Sequence, residues 1–115
     1  MIRRGEEMTV EHIQSMRGGN GEAQVVHILE KNEFENKGRL FAKNILKPGT
    51  SIGTHEHIGE FETYYIIRGE GIHDYNGVKF KVIAGDMGYT KSGTYHGIEN
   101  IGSEDLEFIA LVLFN

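Results

Sequence analysis

The sequence predicts an all-β protein, a sandwich or barrel of short strands in a single domain. Its 115 residues are enough for one hydrophobic core. Sixteen glycines beside a single proline indicate many tight turns. Between these turns lie short runs of β-branched and aromatic residues, and no segment has the periodicity of a helix longer than a turn or two.

The composition of the chain distinguishes an N-terminal segment from the rest of the domain. Residues 1–23 are charged and rich in glycine, and we expect an N-terminal arm that packs on the barrel or on a partner subunit. A frayed tail is the alternative, because chain termini are often loosely held. Residues 24–115 carry the strand signals and would form the β-barrel domain.

The strand signals continue almost to the last residue. We expect strands at Gln24–Glu30, Arg39–Lys47, Phe61–Arg68, Ile72–Tyr75, Val78–Val82, Asp86–Thr90, Tyr95–Asn100 and Leu106–Phe114. The pair Asn76-Gly77 predicts a two-residue hairpin. Alternation places Val78, Phe80 and Val82 on an inward face. The closing strand is apolar on both faces, so we expect it to be covered on both sides.

Charge and composition exclude several function classes. The net charge of −5 argues against nucleic-acid binding, which usually needs a basic surface. The chain has no cysteine, so any metal must be held by histidine, aspartate or glutamate. No apolar run has the length of a signal peptide or a membrane span. We therefore expect a cytoplasmic protein that binds neither nucleic acid nor a membrane.

Histidines and a glutamate in the middle of the chain have the spacing of a metal site. His55 and His57 are one residue apart and share a face of an extended strand. Glu62 follows after enough chain to turn and return on a neighbouring strand, and His96 could meet these side chains inside a barrel. Such a set can bind Mn, Fe, Ni, Co or Zn. Glu60 is the alternative carboxylate, but its short gap from His57 favours Glu62, and we interpret Glu60 as a rim charge.

The same residues form two motifs that resemble those of the cupin superfamily. The first is Gly, five residues, His-x-His, three or four residues, Glu, six residues, Gly, and the matching residues are Gly49, His55, His57, Glu62 and Gly69. The second is Gly, five residues, Pro-x-Gly, two residues, His, three residues, Asn, and the matching residues are Gly85, Gly93, His96 and Asn100. Lys91 replaces the proline, at a position that is not a ligand.

The resemblance implies a double-stranded β-helix, a jelly-roll barrel of six strands with extra strands at its ends. It implies one divalent metal per chain inside the barrel, held by His55, His57, Glu62 and His96, with one or two positions left for water or substrate. Mn, Fe, Ni and Zn are the candidates, and we favour Mn. Many single-domain members form homodimers through edge strands, and we expect Leu106–Phe114 and the N-terminal arm to make that contact.

The remaining candidates lie outside the ligand positions. We expect His12, His27 and His73 at the surface or a pocket rim, Phe61, Tyr64 and Tyr65 in the core, and Tyr89 and Tyr95 beside a pocket. His27 has the alternative of pointing into the cavity, because alternation does not say which face is inside. We expect Asn100 to support the geometry of a turn.

The predicted function is the binding of a small carboxylate or other oxygen-ligand molecule at the metal. One hypothesis is an enzyme of decarboxylase, dioxygenase or isomerase type. The alternative is a non-catalytic binding or sensor protein, and a storage or structural role ranks last. Oxalate decarboxylases, to which the chain is distantly similar, typically carry an arginine three residues before the first histidine, where this chain has Ile52. A general acid or base would favour the enzyme, and the candidates are Glu60, His27 and Tyr95.

Overall fold

Ten strands form the protein in the computed structural model, which describes residues 1–115. They are β1 (Val10–Gln14), β2 (Glu22–His27), β3 (Gly38–Leu46), β4 (Ser51–Glu56), β5 (Glu60–Arg68), β6 (Glu70–Tyr75), β7 (Val78–Ile83), β8 (Met87–Thr90), β9 (Tyr95–Asn100) and β10 (Leu106–Phe114). The only helical segments are three short 3-10 turns, Gly5–Glu7, Met16–Gly18 and Lys31–Glu33. The all-β prediction is therefore confirmed, and no helix is long and apolar enough to span a membrane.

The strands form two antiparallel sheets that share one core. The six-stranded sheet has the order β1-β2-β3-β10-β5-β8, and the four-stranded sheet has the order β4-β9-β6-β7. Leu46, Ile66 and Phe108 from the first sheet pack in one cluster with Ile52 and Ile98 from the second. Burial of these side chains is the main force that holds the sheets together.

The closing strand β10 is an interior strand. It pairs with β3 along one edge and with β5 along the other. Leu106, Phe108, Ala110 and Val112 are fully buried, and the residues between them are half-buried. Within a single chain the expectation of cover on both faces is not met, because only one face of the sheet meets the core. Both edges of β10 are occupied, so this strand offers no edge to a second copy.

Strand β7 corrects a second expectation about burial. Val82 is buried as predicted, but Val78 is 56% exposed and Phe80 is 52% exposed. β7 is the outer strand of its sheet, and its first half extends beyond the cover of the opposite sheet. Alternation identified the shared face correctly, but it does not report how far the opposite sheet reaches.

The N-terminal residues contribute a strand and a loop. β1 pairs with β2, with Val10 opposite Val26. The loop after β1 lies against β4, where a Cβ on Gly53 would lie 2.1 Å from the carbonyl oxygen of Arg17. The Ser51 amide donates to the Asn20 carbonyl at 2.9 Å, and the Asn20 amide donates to the Ser51 hydroxyl at 2.9 Å. This docking brings the loop to the mouth of the site described next.

Candidate metal centre

The four predicted ligands meet between the two sheets. Pairing of β4 with β9 places His55 opposite His96. The His57 Nε2 lies 3.0 Å from the His96 Nε2 and 2.9 Å from a Glu62 carboxylate oxygen. The His96 Nε2 lies 3.2 Å from the His55 Nε2. All four donor atoms lie within 4.8 Å of one another, a group that could hold a metal ion.

Turn geometry brings His57 and Glu62 into this group. His57 follows the last residue of β4, and its backbone is tied to the turn before β9 by hydrogen bonds with Gly93 and Thr94. Gly59 has a φ of +75°, a left-handed conformation that glycine adopts easily. The chain reverses there and enters β5, and alternation points Glu62 toward the core.

Each histidine ring is oriented by a hydrogen bond at its other nitrogen. The Nδ1–H of His55 donates to the Gly53 carbonyl at 2.7 Å. The Nδ1–H of His57 donates to the Glu60 carboxylate at 2.7 Å. The Nδ1 of His96 is hydrogen-bonded with the Thr90 hydroxyl at 2.9 Å. Such partners fix the tautomer and direct the Nε2 lone pair toward a metal.

The spacing of the donor atoms fits a divalent ion. Nε2 lone pairs aimed at one another repel unless a proton or a cation lies between them. An octahedral ion with metal–nitrogen bonds of about 2.1 Å would hold adjacent donor atoms about 3 Å apart. The Nε2 distances from His96 to His57 and from His96 to His55, 3.0 and 3.2 Å, match that separation. Three imidazoles and one carboxylate suit Mn, Fe, Ni or Zn.

The charges within the group favour a bound cation. The hydrogen bond to Glu62 raises the pKa of His57. Burial raises the pKa of Glu62, but the hydrogen bonds from His57 and His96 outweigh it and lower that pKa to about 2. Burial lowers the pKa of His55 to about 4. Without a metal, protonation of His57 would offset the charge of the buried carboxylate, and a metal ion would compete with that proton.

Glu60 is more than a rim charge. Its side chain is only 13% exposed. It accepts the Nδ1–H of His57 and two hydrogen bonds from Arg39, at 2.8 and 2.6 Å. The rim interpretation is therefore wrong: Glu60 orients a candidate ligand and neutralises an arginine. The arginine comes from β3, and no sequence signal pairs it with this glutamate.

The expectation for the other histidines holds in part. His12 lies on the surface, where it pairs with Glu22. His27 pairs with Glu11 on the β1–β2 face, so the alternative that it points into the metal cavity is wrong. His73 is buried, with its Nε2 3.2 Å from the Nδ1 of His96, so the expectation of a surface position is wrong, but its side chain does line a cavity beside β7 and β8. β6 is an interior strand of its sheet and turns this side chain toward β9.

The predictions for the aromatic residues and Asn100 are also confirmed only in part. Tyr64 is buried against Phe108 at a ring distance of 4.5 Å, whereas Tyr65, on the opposite face of β5, is half-exposed. The core expectation is therefore right for Tyr64 and wrong for Tyr65. The Asn100 amide donates to the carbonyls of Leu46 and Glu104, as expected for a turn support.

A small cavity of about 30 Å³ adjoins the donor group. Its lining consists of Met16, Arg17, Arg39, Leu40, Asn44, Ile52, His55, His57, Glu62 and Tyr64. Larger hollows lie elsewhere, including one of about 380 Å³ between β6, β7 and β8 that is lined by Tyr89. Tyr95 lies outside the small cavity. The lining of the small cavity includes two arginines and an asparagine that sequence reasoning did not select.

Comparison with known protein families identifies the family of this chain. Residues 44–113 match the model of the cupin domain. The chain is a cupin. The match includes all four members of the donor group and the strands that carry them, so the fold expected from the two motifs is confirmed.

Proteins of Thermotoga maritima and Klebsiella pneumoniae are similar to this cupin. It is 50% identical to an oxalate-binding protein of Thermotoga maritima over 98% of this chain and 93% of that protein. It is 49% identical, with a TM-score of 0.95 and full cover of both chains, to the crystal structure of a predicted oxalate decarboxylase from Thermotoga maritima. A double-stranded β-helix protein from Klebsiella pneumoniae is 30% identical, with a TM-score of 0.71, over 85% of this chain and 82% of that one.

Proposed function

We propose that this cupin is a metal-dependent binding protein for a small carboxylate, with oxalate as its ligand. The observation that carries the proposal is the convergence of three histidine Nε2 atoms and a Glu62 oxygen, with the Nδ1 atoms already engaged. In this proposal His55, His57, Glu62 and His96 hold one divalent ion, with Mn favoured. A bound ion supplies open coordination positions for carboxylate oxygens.

The choice of oxalate is supported by a relative and by the charges of the cavity. The Thermotoga protein named as oxalate-binding shares half of its residues with this chain over almost the whole length. Arg17 and Arg39 line the cavity, and Glu62 is its only acidic lining residue. With a divalent ion bound, the cavity is positive and attracts an anion.

Binding without turnover is favoured because the cavity lacks a suitable proton donor. Decarboxylation replaces a carboxylate by a proton on carbon, so it needs a proton donor beside the ligand. Glu60 is engaged by His57 and Arg39, and His27 and Tyr95 lie outside the cavity. Burial raises the pKa of Tyr64 well above 10, so its phenol is a poor proton donor.

Decarboxylation of oxalate is the second candidate, because a relative of known structure is described as a predicted oxalate decarboxylase. Metal-loaded protein incubated with oxalate distinguishes the two functions. Binding alone leaves the oxalate concentration unchanged, whereas decarboxylation produces formate and carbon dioxide in equal amounts. Catalytic formate production would replace the binding proposal.

Elemental analysis of protein purified without an affinity tag is the first test of the metal site. We expect near-stoichiometric metal in the wild type and in His12→Ala, whose histidine lies on the surface. His55→Ala and His96→Ala should lose most of it, since each removes one of four donors. Equal metal in all four proteins would contradict the ligand assignment, and calorimetric titration with oxalate then tests the ligand.

We also propose a homodimer that forms through the outward face of the six-stranded sheet. Phe41 lies opposite Leu111, and Tyr65 lies opposite Ile109, so apolar side chains adjoin across three neighbouring strands. Tyr65 is 49% exposed, as a contact residue of a free subunit would be. Light scattering should give twice the chain mass for the wild type and the chain mass for Tyr65→Glu. A monomeric wild type would contradict this proposal.

A further inference from the structure

Asn44 is a buried polar side chain without a partner beside the candidate metal centre. It lies on β3, is 1% exposed and lines the small cavity. Its Oδ1 has no hydrogen-bond partner. A buried polar atom left unsatisfied costs about 1–3 kcal/mol, and the great majority of such atoms are paired. The unpaired atom is an acceptor, so a hydrogen-bond donor brought into the cavity would satisfy it.

Arg17 is the second uncommitted group in the same lining. The guanidinium of Arg39 is held by Glu60 through two hydrogen bonds. Arg17 forms no ion pair, in contrast to Arg3, Arg39 and Arg68. Arg17 is exposed at the surface on one side and lines the cavity beside His55 on the other, so its charge lies at the mouth of the donor group.

The backbone holds Arg17 in an unusual conformation at the cavity. Its φ of 54° and ψ of 30° are left-handed, a region that costs a non-glycine residue about 1–3 kcal/mol. The loop is fixed by the close approach of Gly19 and Gly53 to neighbouring backbone and by the two hydrogen bonds between Asn20 and Ser51. The strained conformation of Arg17 is maintained by these contacts between the loop and β4.

We propose that Arg17 and Asn44 form a carboxylate-binding subsite, and that this cupin therefore takes a small dicarboxylate rather than a monocarboxylate. The inference rests on the proposed metal-dependent function. One carboxylate of the ligand occupies open positions of the metal, and the other accepts hydrogen bonds from the Arg17 guanidinium and the Asn44 amide nitrogen. In this ligand-bound arrangement the guanidinium, which has five donors, would also donate to the Asn44 oxygen that has no partner in the free protein.

The size of the cavity restricts the ligand further. The cavity has a volume of only about 30 Å³ and is open where the exposed Arg17 lines it. A ligand that reaches both the donor group and the subsite is therefore one of the smallest dicarboxylates. Longer dicarboxylates require displacement of the loop that carries Arg17, which is docked on β4.

Calorimetric titration of the manganese-loaded protein with oxalate and with acetate tests the subsite. The variants are Arg17→Gln and Asn44→Leu, with Lys47→Gln as the control, since Lys47 is an exposed cation that does not line the cavity. We expect each subsite variant to bind oxalate about 10- to 100-fold more weakly, as for the loss of hydrogen bonds to a charged group. Acetate affinity and metal content should stay at the wild-type values, so the preference for oxalate over acetate falls.

A thermal melt of the metal-free protein separates the subsite from a structural role for Asn44. Asn44→Leu removes an unsatisfied amide from the core, so we expect the melting temperature to hold or rise while oxalate affinity falls. Asn44→Ser provides the same affinity test if the leucine variant does not fold. A fall in melting temperature with unchanged oxalate affinity would assign Asn44 to stability and overturn its place in the subsite.

The outcomes keep the two proposals apart. If both subsite variants retain wild-type preference for oxalate over acetate, the subsite is wrong and the metal-dependent function stands. If Lys47→Gln weakens oxalate binding as much as Arg17→Gln, the effect is general electrostatics and the role of Arg17 is overturned. If wild-type protein retains no metal, or retains metal and binds no oxalate, the proposed function itself fails.

Discussion

Replacement of Glu60 by glutamine tests whether the metal site extends beyond its four candidate ligands. Glu60 accepts the Nδ1–H of His57 at 2.7 Å and accepts hydrogen bonds from the Nε and Nη2 of Arg39. Glutamine keeps the shape of the side chain and one acceptor oxygen, so the His57 ring can keep its orientation. The substitution removes the negative charge that increases the basicity of His57 and neutralises Arg39.

The expected magnitude follows from these two losses. Removal of the outer partner of a ligating histidine typically weakens metal binding by about 10- to 100-fold, or about 1.4–2.8 kcal/mol. The uncompensated Arg39 adds repulsion, because it lines the same cavity as His57 and Glu62. We therefore expect Glu60→Gln to lie in the upper half of that range.

Competition against a chromogenic chelator measures the metal affinity, and the chain offers a matched control. Glu33 also binds an arginine through two hydrogen bonds, both at 2.9 Å to Arg3, but it contacts no histidine. Glu33→Gln breaks an equivalent ion pair and should leave metal affinity at the wild-type value. Wild-type affinity in Glu60→Gln would refute the reasoning and return Glu60 to a rim charge.

Two further predictions concern pH and the loop before β2. The hydrogen bond to Glu62 raises the pKa of His57, and a metal must displace the proton that His57 binds below this pKa. The metal affinity should therefore fall roughly tenfold per pH unit once the pH drops below the raised pKa. A metal affinity that is constant between pH 8 and 5 would contradict this prediction. Gly53→Ala places a Cβ 2.1 Å from the Arg17 carbonyl oxygen, so we expect a loss of about 1–3 kcal/mol in a denaturant titration, whereas Gly5→Ala, with no atom within 4 Å, should melt as the wild type. Equal stability of the two glycine variants would show that the loop is not docked as described.

The sequence predicted most accurately the features that depend on the spacing of residues along the chain. The ligand positions follow fixed intervals, and the four side chains meet as those intervals predict. The hairpin at Asn76-Gly77 is another such case: both residues have positive φ, of 50° and 86°, as the predicted turn requires. Local chemistry determines both features, so a single chain is enough to find them.

The misses have a common physical origin in contacts between distant strands. Ile72 and His73 illustrate it, since an amphipathic interpretation of β6 would put the isoleucine inside. The structure instead buries His73 beside His96, because this part of the core consists of the polar residues that surround the donor group. Glu60 was misjudged in the same way, since its partner Arg39 is 21 residues away on β3. Neither alternation nor spacing reports on such neighbours.

The ligand preference of this cupin is expected to reside outside its motifs. The matched family region begins at residue 44, and its motifs supply the donor atoms and the turns that present them. Arg17 precedes that region, and Asn44 stands at its first residue, yet both line the cavity that a metal-bound ligand would enter. Two proteins with the same three histidines and glutamate can therefore differ in ligand through a single docked loop and one strand. Because the loop is fixed against β4 two residues before His55, a change there acts on the charge at the cavity while the donor set stays constant.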